Sequence, residues 1–586
     1  MSEPALKFVD TDRVGRVAAV DTSRCIVTAE DHSLLTRSGV GNLVAIRGAT
    51  QQEYLIGMVE RVTRTTTDEM LGEGEDEVGV VPMGTKPDDT MRVVLIGTFR
   101  TVDGSKANVF KRGADSFPQI DRDCFLISGA NLQGFMNLLT SEIDVSERLE
   151  LGFFVMDRSA QAIAHGDKFF QRHASVLGST GSGKSWAVAL ILERASKLKN
   201  PNIIVLDLHG EYAPLSQDGG YAQSFRIAGP GDLEKPTPGT LFLPYWLLNR
   251  DEMVSMFVDR SDQNAPNQVS RFTAHVRELK AATLAAEKKP DVLATFTVDS
   301  PIPYKIEDLV ARLQADDTER VAGAKPGTDK AGDWNGRLTR FIGRLTAKLE
   351  DRRYGFLFQP PEATLSYDWL SQQVIQLLLS TQGKKSGIKI IDFSEVPSDV
   401  LPVVVGVLAR LIYNVQFWME SEKRTPLTLV CDEAHLYLPV RDDADAVAKR
   451  ALESFERIAK EGRKYGVSLL VVSQRPSDVS KTILSQCNNF LVMRLTNYED
   501  QNVVRRLVPD SMVGLTDLLP LLDTGEALLL GDAVLLPSRM KLQKPTIEPA
   551  SATREFWREW SSKAADKSAI EQAVENLRRQ TRNSSP

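Results

Sequence analysis

Ala174-Ser-Val-Leu-Gly-Ser-Thr-Gly-Ser-Gly-Lys-Ser185 reads as a short strand, a glycine-rich turn and the opening of a helix. The apolar run Ala174 to Leu177 supplies the strand, and Trp186, Ala187, Val188, Leu190 and Ile191 continue at helical spacing. Between them Gly178, Ser179, Thr180, Gly181, Ser182, Gly183, Lys184 and Ser185 carry the GxxxxGK[ST] spacing of a phosphate-binding loop. The chemistry requires that layout. Glycines let successive backbone N–H groups curl around a β-phosphate at a helix N-terminus, where the dipole favours anions. Lys184 is placed to reach the β- and γ-phosphates, and the Ser185 hydroxyl to ligate Mg²⁺. These eight residues and Trp186 are the candidate contacts for ATP.

A second motif turns nucleotide binding into hydrolysis. Leu427-Thr-Leu-Val-Cys-Asp-Glu433 is a buried-type strand ending in two acids, followed by Ala434-His435. This is the Walker B layout, with Asp432 ordering the Mg²⁺ shell and Glu433 polarising the attacking water. A switch that binds nucleotide without hydrolysing it would be expected to lack a glutamate here. Three more apolar runs end in polar groups. Ile203 to Asp207 continues into Leu-His-Gly-Glu-Tyr212, Val467 to Ser473 ends at Gln474, and Phe490 to Leu495 precedes Thr-Asn-Tyr-Glu-Asp. Doubly wound sheets place ligand-contacting groups at the carboxyl ends of parallel strands, so Asp207 joins the nucleotide candidates. Gln474 is read as a γ-phosphate sensor or a water-orienting group, with a turn-capping amide as the alternative.

Five strings, RHASVLGSTGSGKS, VLDLHGEY, VCDEAHLYLP, RIAKEGRKYGVSLLVVSQRPSDV and TILSQCNNFLVMRLTNYEDQ, together resemble the HerA family of hexameric DNA translocases, which belongs with the FtsK-type motors. The resemblance runs from about residue 165 to 535, interrupted by an insertion. It implies an α/β fold: a RecA-like P-loop motor with a helical insertion, a small N-terminal β-barrel and a C-terminal helical tail. It also implies a homo-hexamer with double-stranded DNA in its central channel and ATP at the subunit interfaces. A nuclease (NurA-like) or another effector, such as a sirtuin-like NAD hydrolase, is expected to dock on the barrel face. Interfacial ATP sites need a cation from the neighbour to neutralise charge developing on the γ-phosphoryl oxygens. Arg172 and Arg463 match family positions, with Arg457 a competitor for the second role. The sequence leaves open which acts in cis and which in trans.

Bulk properties bound the alternatives. A chain of 586 residues is too long for one core. Lys and Arg number 71 against 78 Asp and Glu, a net charge of −7 that does not advertise nucleic-acid binding. The DNA expectation therefore rests on the resemblance. The four cysteines show no metal-ligand spacing, and no secretory h-region or long apolar run is evident, so the expected setting is cytoplasmic, with no membrane. No LSGGQ-like string marks a transporter-type ATPase. Composition and periodicity divide the chain into a β-rich part that suits a small barrel (1–160), a first core part (161–245), a helical insertion (246–380), a second core part (381–545) and a tail (546–586), which the resemblance implies braces the neighbouring subunit. The acidic stretch 68–77 reads as a loop, 315–334 as a loop between helices, and the segments 210–217 and 478–485 as channel-facing. The rival to a motor is an ATP-dependent ring scaffold that assembles and regulates an effector in antiphage defence, with little translocation.

Overall fold

The computed structural model describes residues 4–581, except 22–23, 30–32, 34–37, 51, 67–86, 104–105, 114–115, 156–157, 326, 380–384, 443–445, 509 and 552–553. The acidic stretch 68–77 lies outside the described residues. The chain forms two compact units.

The first unit comprises Met1–Arg194, Gln474–Ser477 and Cys487–Pro545. It opens with β1 (Arg13–Asp21), β2 (Arg24–Thr28), β3 (Leu43–Arg47), β4 (Glu53–Thr66), β5 (Pro87–Asp103), β6 (Lys106–Arg112) and β7 (Asp123–Leu126). Six of these run in the order β2-β1-β7-β3-β4-β5, and β5 pairs back onto β2, closing a small barrel with β6 outside the ring. Alternation drives closure. In β2, Cys25 and Val27 point inward while Ile26 is exposed, and they meet Val17, Val44, Ile46, Leu55, Val59 and Val93 in one core. Closure removes the free edges that a small sheet would otherwise present.

The same unit contains a second sheet of β8 (Arg148–Phe154), β9 (Gln161–His165), β10 (Ala174–Leu177), β19 (Asn489–Val492), β20 (Glu526–Gly531) and β21 (Ser538–Leu542), in the order β10-β19-β20-β21-β8-β9. Only β10 and β19 are parallel; the other neighbours are antiparallel. Sheet structure outside the barrel thus begins at Arg148, ahead of the boundary at 160 that the sequence leads one to expect.

The second unit comprises Ala195–Ser473, Asp478–Gln486 and Thr546–Pro586. Its sheet contains β11 (Ile203–Asp207), β12 (Gln223–Ile227), β13 (Thr240–Leu241), β16 (Ile388–Asp392), β17 (Leu427–Cys431) and β18 (Val467–Ser473), ordered β13-β12-β16-β11-β17-β18 and parallel throughout. Every residue of β11, β17 and β18 is buried, the continuous apolar pattern of a sheet covered on both faces. Helix 401–418 packs against helix 446–461 so closely that a methyl at Gly406 would lie 2.7 Å from Ala451 Cα. By length and composition helix 401–418 would also pass as a membrane span. Here it is a core helix, and its Arg410 is held by Glu252 at 2.8 Å.

Between β13 and β16 the chain is helical, with the longest helices at 265–286, 306–318 and 339–350. The segment expected as a loop at 315–334 continues helix 306–318 and then forms a hairpin of β14 (Arg320–Ala322) and β15 (Asp329–Ala331). In helix 339–350, Phe341 and Leu345 are buried, while Arg344 pairs with Asp259 at 3.2 Å and Lys348 with Asp399 at 3.1 Å. Those cations serve packing within the unit.

Candidate nucleotide-binding elements

In the first unit, β10 runs straight into the glycine turn, and helix 184–196 begins at Lys184. Gly181 (φ 73°) and Gly183 (φ 104°) occupy the left-handed region, which lets the backbone curl. The turn is pinned from outside. Ser179 N–H donates to the Arg494 carbonyl at 2.8 Å, Gly525 N–H donates to the Ser182 carbonyl at 2.9 Å, and Thr496 N–H donates to Ser179 Oγ at 3.3 Å. Lys184 Nζ folds back to the Ser179 carbonyl at 3.4 Å and is 8 % exposed. The Ser182 hydroxyl is buried and has no hydrogen-bond partner among the described residues. A preformed nest with a sheltered lysine and an unmet hydroxyl fits a phosphate group.

Gln474 lies beside this turn and accepts a hydrogen bond from the Thr180 hydroxyl at 2.5 Å, placing the expected sensor against the phosphate loop. Trp186, half-buried, lies under the ammonium of Lys544 at 4.9 Å. The Arg494, Thr496 and Gly525 contacts were not foreseen. A turn at Asp523-Thr-Gly525 is legible in the sequence, but the partner it supports is more than 300 residues away.

In the second unit, three acids gather at the carboxyl edge of the sheet. β11 and β17 are neighbours with Leu206 level with Cys431, so Asp207 and the Asp432-Glu433 pair emerge side by side. Asp432 is 4 % exposed. Burial pushes its carboxyl well above the ordinary range, and the neighbouring Glu433, Asp207 and Glu211 add to that. Burial likewise lifts Asp207 to about 6, against the N–H groups of Tyr212 and Glu211, which donate to it at 2.9 and 3.0 Å. Glu433 adopts a left-handed backbone, φ 44° and ψ 45°, which a non-glycine residue holds only where its surroundings enforce it. Its Oε2 lies 3.3 Å from His435 Nδ1, and the Ser473 hydroxyl reaches the same nitrogen at 3.3 Å.

Crowded buried carboxylates with raised affinities for protons are the electrostatic condition that a divalent cation relieves. Among the described residues no three His, Cys, Asp or Glu side chains converge to hold a metal alone. That suits Mg²⁺, which keeps waters and is usually held through one or two carboxylates plus substrate phosphates. Asp432 is the buried acid of this edge that fits it.

The arginines occupy the other edge of each sheet. Arg463 is exposed and without an ion pair among the described residues, in the turn leading into β18. Register puts Val467 level with Leu427, so the five residues of β17 separate Arg463 from the Asp432-Glu433 edge, roughly 16 Å. Arg172 lies two residues before β10, at the opposite end of that strand from the glycine turn, and its guanidinium pairs with Asp532. Arg457 rests on the rings of Tyr413 (4.7 Å) and Phe417 (5.8 Å) and pairs with Glu461 at 3.8 Å.

Residues 149–412 match the family model described as "Helicase HerA, central domain". A probable helicase of Methanocaldococcus jannaschii is 25% identical over 400 residues, 68% of this chain and 67% of the relative. The DNA double-strand break repair helicase HerA of Pyrococcus furiosus is 24% identical over 429 residues, 68% of this chain and 70% of the relative. Among solved structures, VirB4 of Thermoanaerobacter pseudethanolicus aligns over 68% of this chain and 98% of its own with a TM-score of 0.44 and 16% identity. The plasmid coupling protein TrwB aligns over 72% of this chain and 95% of its own with a TM-score of 0.43 and 14% identity. The family model and the archaeal helicases overlap the span that carries the five motifs, so over that span the chain is similar to HerA-type helicases.

Proposed function

We propose that this chain hydrolyses ATP to drive translocation on double-stranded DNA, as a homo-hexamer with Mg-ATP bound between subunits. The observation that carries the ring is the placement of Arg463. An exposed, unpaired arginine at the sheet edge remote from its own acids is of use to a γ-phosphate only on another copy. Arg172, at the end of its strand remote from the glycine turn but paired with Asp532, is the second candidate for a contact in trans.

In this mechanism the glycine turn and the N-terminus of helix 184–196 hold the phosphates, and Lys184 leaves the Ser179 carbonyl to neutralise them. Mg²⁺, when bound, would supply further neutralisation of phosphate charge. The Ser185 hydroxyl and the Asp432 carboxylate would be its ligands, and Asp207 adds negative charge on the strand next to that of Asp432. Glu433 takes the proton of the attacking water, which leaves with the phosphate after turnover. Gln474 exchanges its Thr180 partner for the γ-phosphate and so reports its presence.

The test is steady-state phosphate release with and without linear double-stranded DNA. Several-fold stimulation by DNA is expected. Turnover indifferent to DNA would reject translocation and leave the scaffold reading. The ring is tested by mixing two inactive chains, Arg463→Ala and Glu433→Gln. If the arginine acts in trans, some interfaces pair an intact acid edge with an intact arginine, and activity returns to a measurable fraction of the parent's. No recovery would mean the arginine serves its own subunit.

The tail fits the same assembly. Phe556, Trp557 and Trp560 are 61, 85 and 72% exposed, and Ile570, Val574 and Leu577 form an exposed stripe on helix 567–579. Such apolar surface is covered in an oligomer. A chain ending at residue 548 is expected to lose assembly mass. On the barrel, Phe117 (58% exposed) and Ile120 (64%) offer a face for a nuclease (NurA-like) or sirtuin-like effector, in a cytoplasmic defence or repair role. Retained co-purification of such an effector with a Phe117→Asp, Ile120→Asp chain would exclude that face.

A further inference from the structure

Tyr212 closes the Leu208-His-Gly-Glu-Tyr212 loop that follows β11. Its N–H donates to one oxygen of Asp207 at 2.9 Å, and the Glu211 N–H donates to the other at 3.0 Å. The strand-end carboxylate thereby folds the loop back over the edge of the sheet, and the Tyr212 ring is driven fully inside, 0% exposed. The ring ends in a polar atom. Its hydroxyl is buried and has no hydrogen-bond partner among the described residues. It lies in the field of four carboxylates, those of Asp432, Asp207, Glu211 and Glu433, and burial with that field holds the phenol far above its ordinary range. A phenol so placed is a permanent donor with no acceptor within hydrogen-bond distance.

A buried donor with no acceptor is destabilising, and Phe would fill the same space without that penalty. Retaining the hydroxyl therefore points to a partner that arrives with the ligand. A hydrated divalent cation brings such a partner, because it holds the acids around it ionised, and an ionised carboxylate is a strong acceptor for the hydroxyl. The loop acid Asp207 and the Walker-type acid Asp432 stand on adjacent strands, and Tyr212 is tied to the first of them through its own N–H.

We propose that Tyr212 is a positioning residue for the metal–nucleotide complex: its buried hydroxyl donates to the acid shell of Asp207 and Asp432 once a bound cation holds those acids ionised, fixing where that cation sits. This inference deepens the nucleotide-site reading above and rests on it. It assigns to the hydroxyl a role in metal affinity and leaves the binding of metal-free nucleotide to the glycine turn.

The test uses the full chain, Mn²⁺ as a paramagnetic probe and a non-hydrolysable ATP analogue. Mn²⁺ affinity is read by electron paramagnetic resonance, metal-free analogue affinity by fluorescence, and folding by thermal unfolding. Tyr212→Phe is expected to weaken Mn²⁺ binding in the ternary complex on the order of 10-fold. Metal-free analogue affinity should stay unchanged, and the unfolding temperature should hold or rise. Unchanged Mn²⁺ affinity in a folded Tyr212→Phe chain overturns the inference alone. A lowered unfolding temperature with unchanged Mn²⁺ affinity would give the hydroxyl a structural role instead, and also overturns it. Failure of the parent chain to take up Mn²⁺ with the analogue would overturn the nucleotide-site reading and this inference together.

Discussion

A chain carrying Glu433→Gln is expected to bind ATP as the parent does and to release phosphate on the order of 10³-fold more slowly. The substitution keeps shape and hydrogen-bonding reach but removes the group that accepts a proton from water. Position makes the difference large. Glu433 follows a fully buried strand, and its left-handed backbone turns its carboxylate away from the path a continuing strand would give. Among the described residues the other acid with a left-handed backbone is Asp121, φ 64°, just ahead of β7 in the barrel. Asp432 is more deeply buried, and burial holds it toward the protonated form until a cation arrives. His435 Nδ1 lies 3.3 Å from Glu433 Oε2. Phosphate release and analogue binding measured on the same preparation check the expectation. Turnover within about five-fold of the parent, with binding retained, would remove Glu433 from the reaction and send the search for a base elsewhere.

The glycine turn and the acid-tipped strands were legible because their signals are local. Gly178 to Ser185 needs only its own spacing, and β11, β17 and β18 advertise burial on both faces through unbroken apolar runs ending in Asp207, Asp432 and Gln474. What escaped was set by partners distant in sequence. Arg148 to Phe154 has the short, mixed pattern of another barrel strand, yet its neighbours are β9 and a strand near residue 540. Nothing within the segment records that pairing. The edge on which an arginine falls is equally non-local. Arg457 and Arg463 sit six residues apart in one charged run, and only the fold lays the first on Tyr413 and leaves the second bare. Tyr212 was visible as a letter in a polar loop, but a loop tyrosine is ordinarily half-exposed. Its burial follows from the grip of Asp207 on the Tyr212 N–H, a contact that no periodicity encodes.

Lys389→Met is expected to stabilise the protein at neutral pH, by up to about 2 kcal/mol, and to lose that advantage in alkali. Lys389 stands inside β16 among Ile388, Ile390 and Ile391 and is 0% exposed, a cation on a strand otherwise built for a core. Burial lowers its ammonium from the usual 10.5 to about 8. At about 1.4 kcal/mol per pH unit, holding the charged form inside is destabilising by about 3 kcal/mol. One hydrogen bond offsets part of this, from Nζ to Asn202 Oδ1 at 2.9 Å. Met keeps the volume and loses that bond, leaving the Asn202 oxygen short of a donor at a cost of about 1 kcal/mol. The sign with pH follows from proton counting. The folded value lies below the unfolded one, so between pH 8 and 10.5 the unfolded chain binds more protons and the parent gains stability as pH rises. Below pH 8 the penalty is present in full. The methionine chain should therefore unfold at a higher temperature than the parent at pH 7, and the gap should close or reverse by pH 10. A variant less stable than the parent at pH 7 would mean that the bond to Asn202 outweighs the desolvation of the ammonium, and that the lysine is held in the sheet for stability.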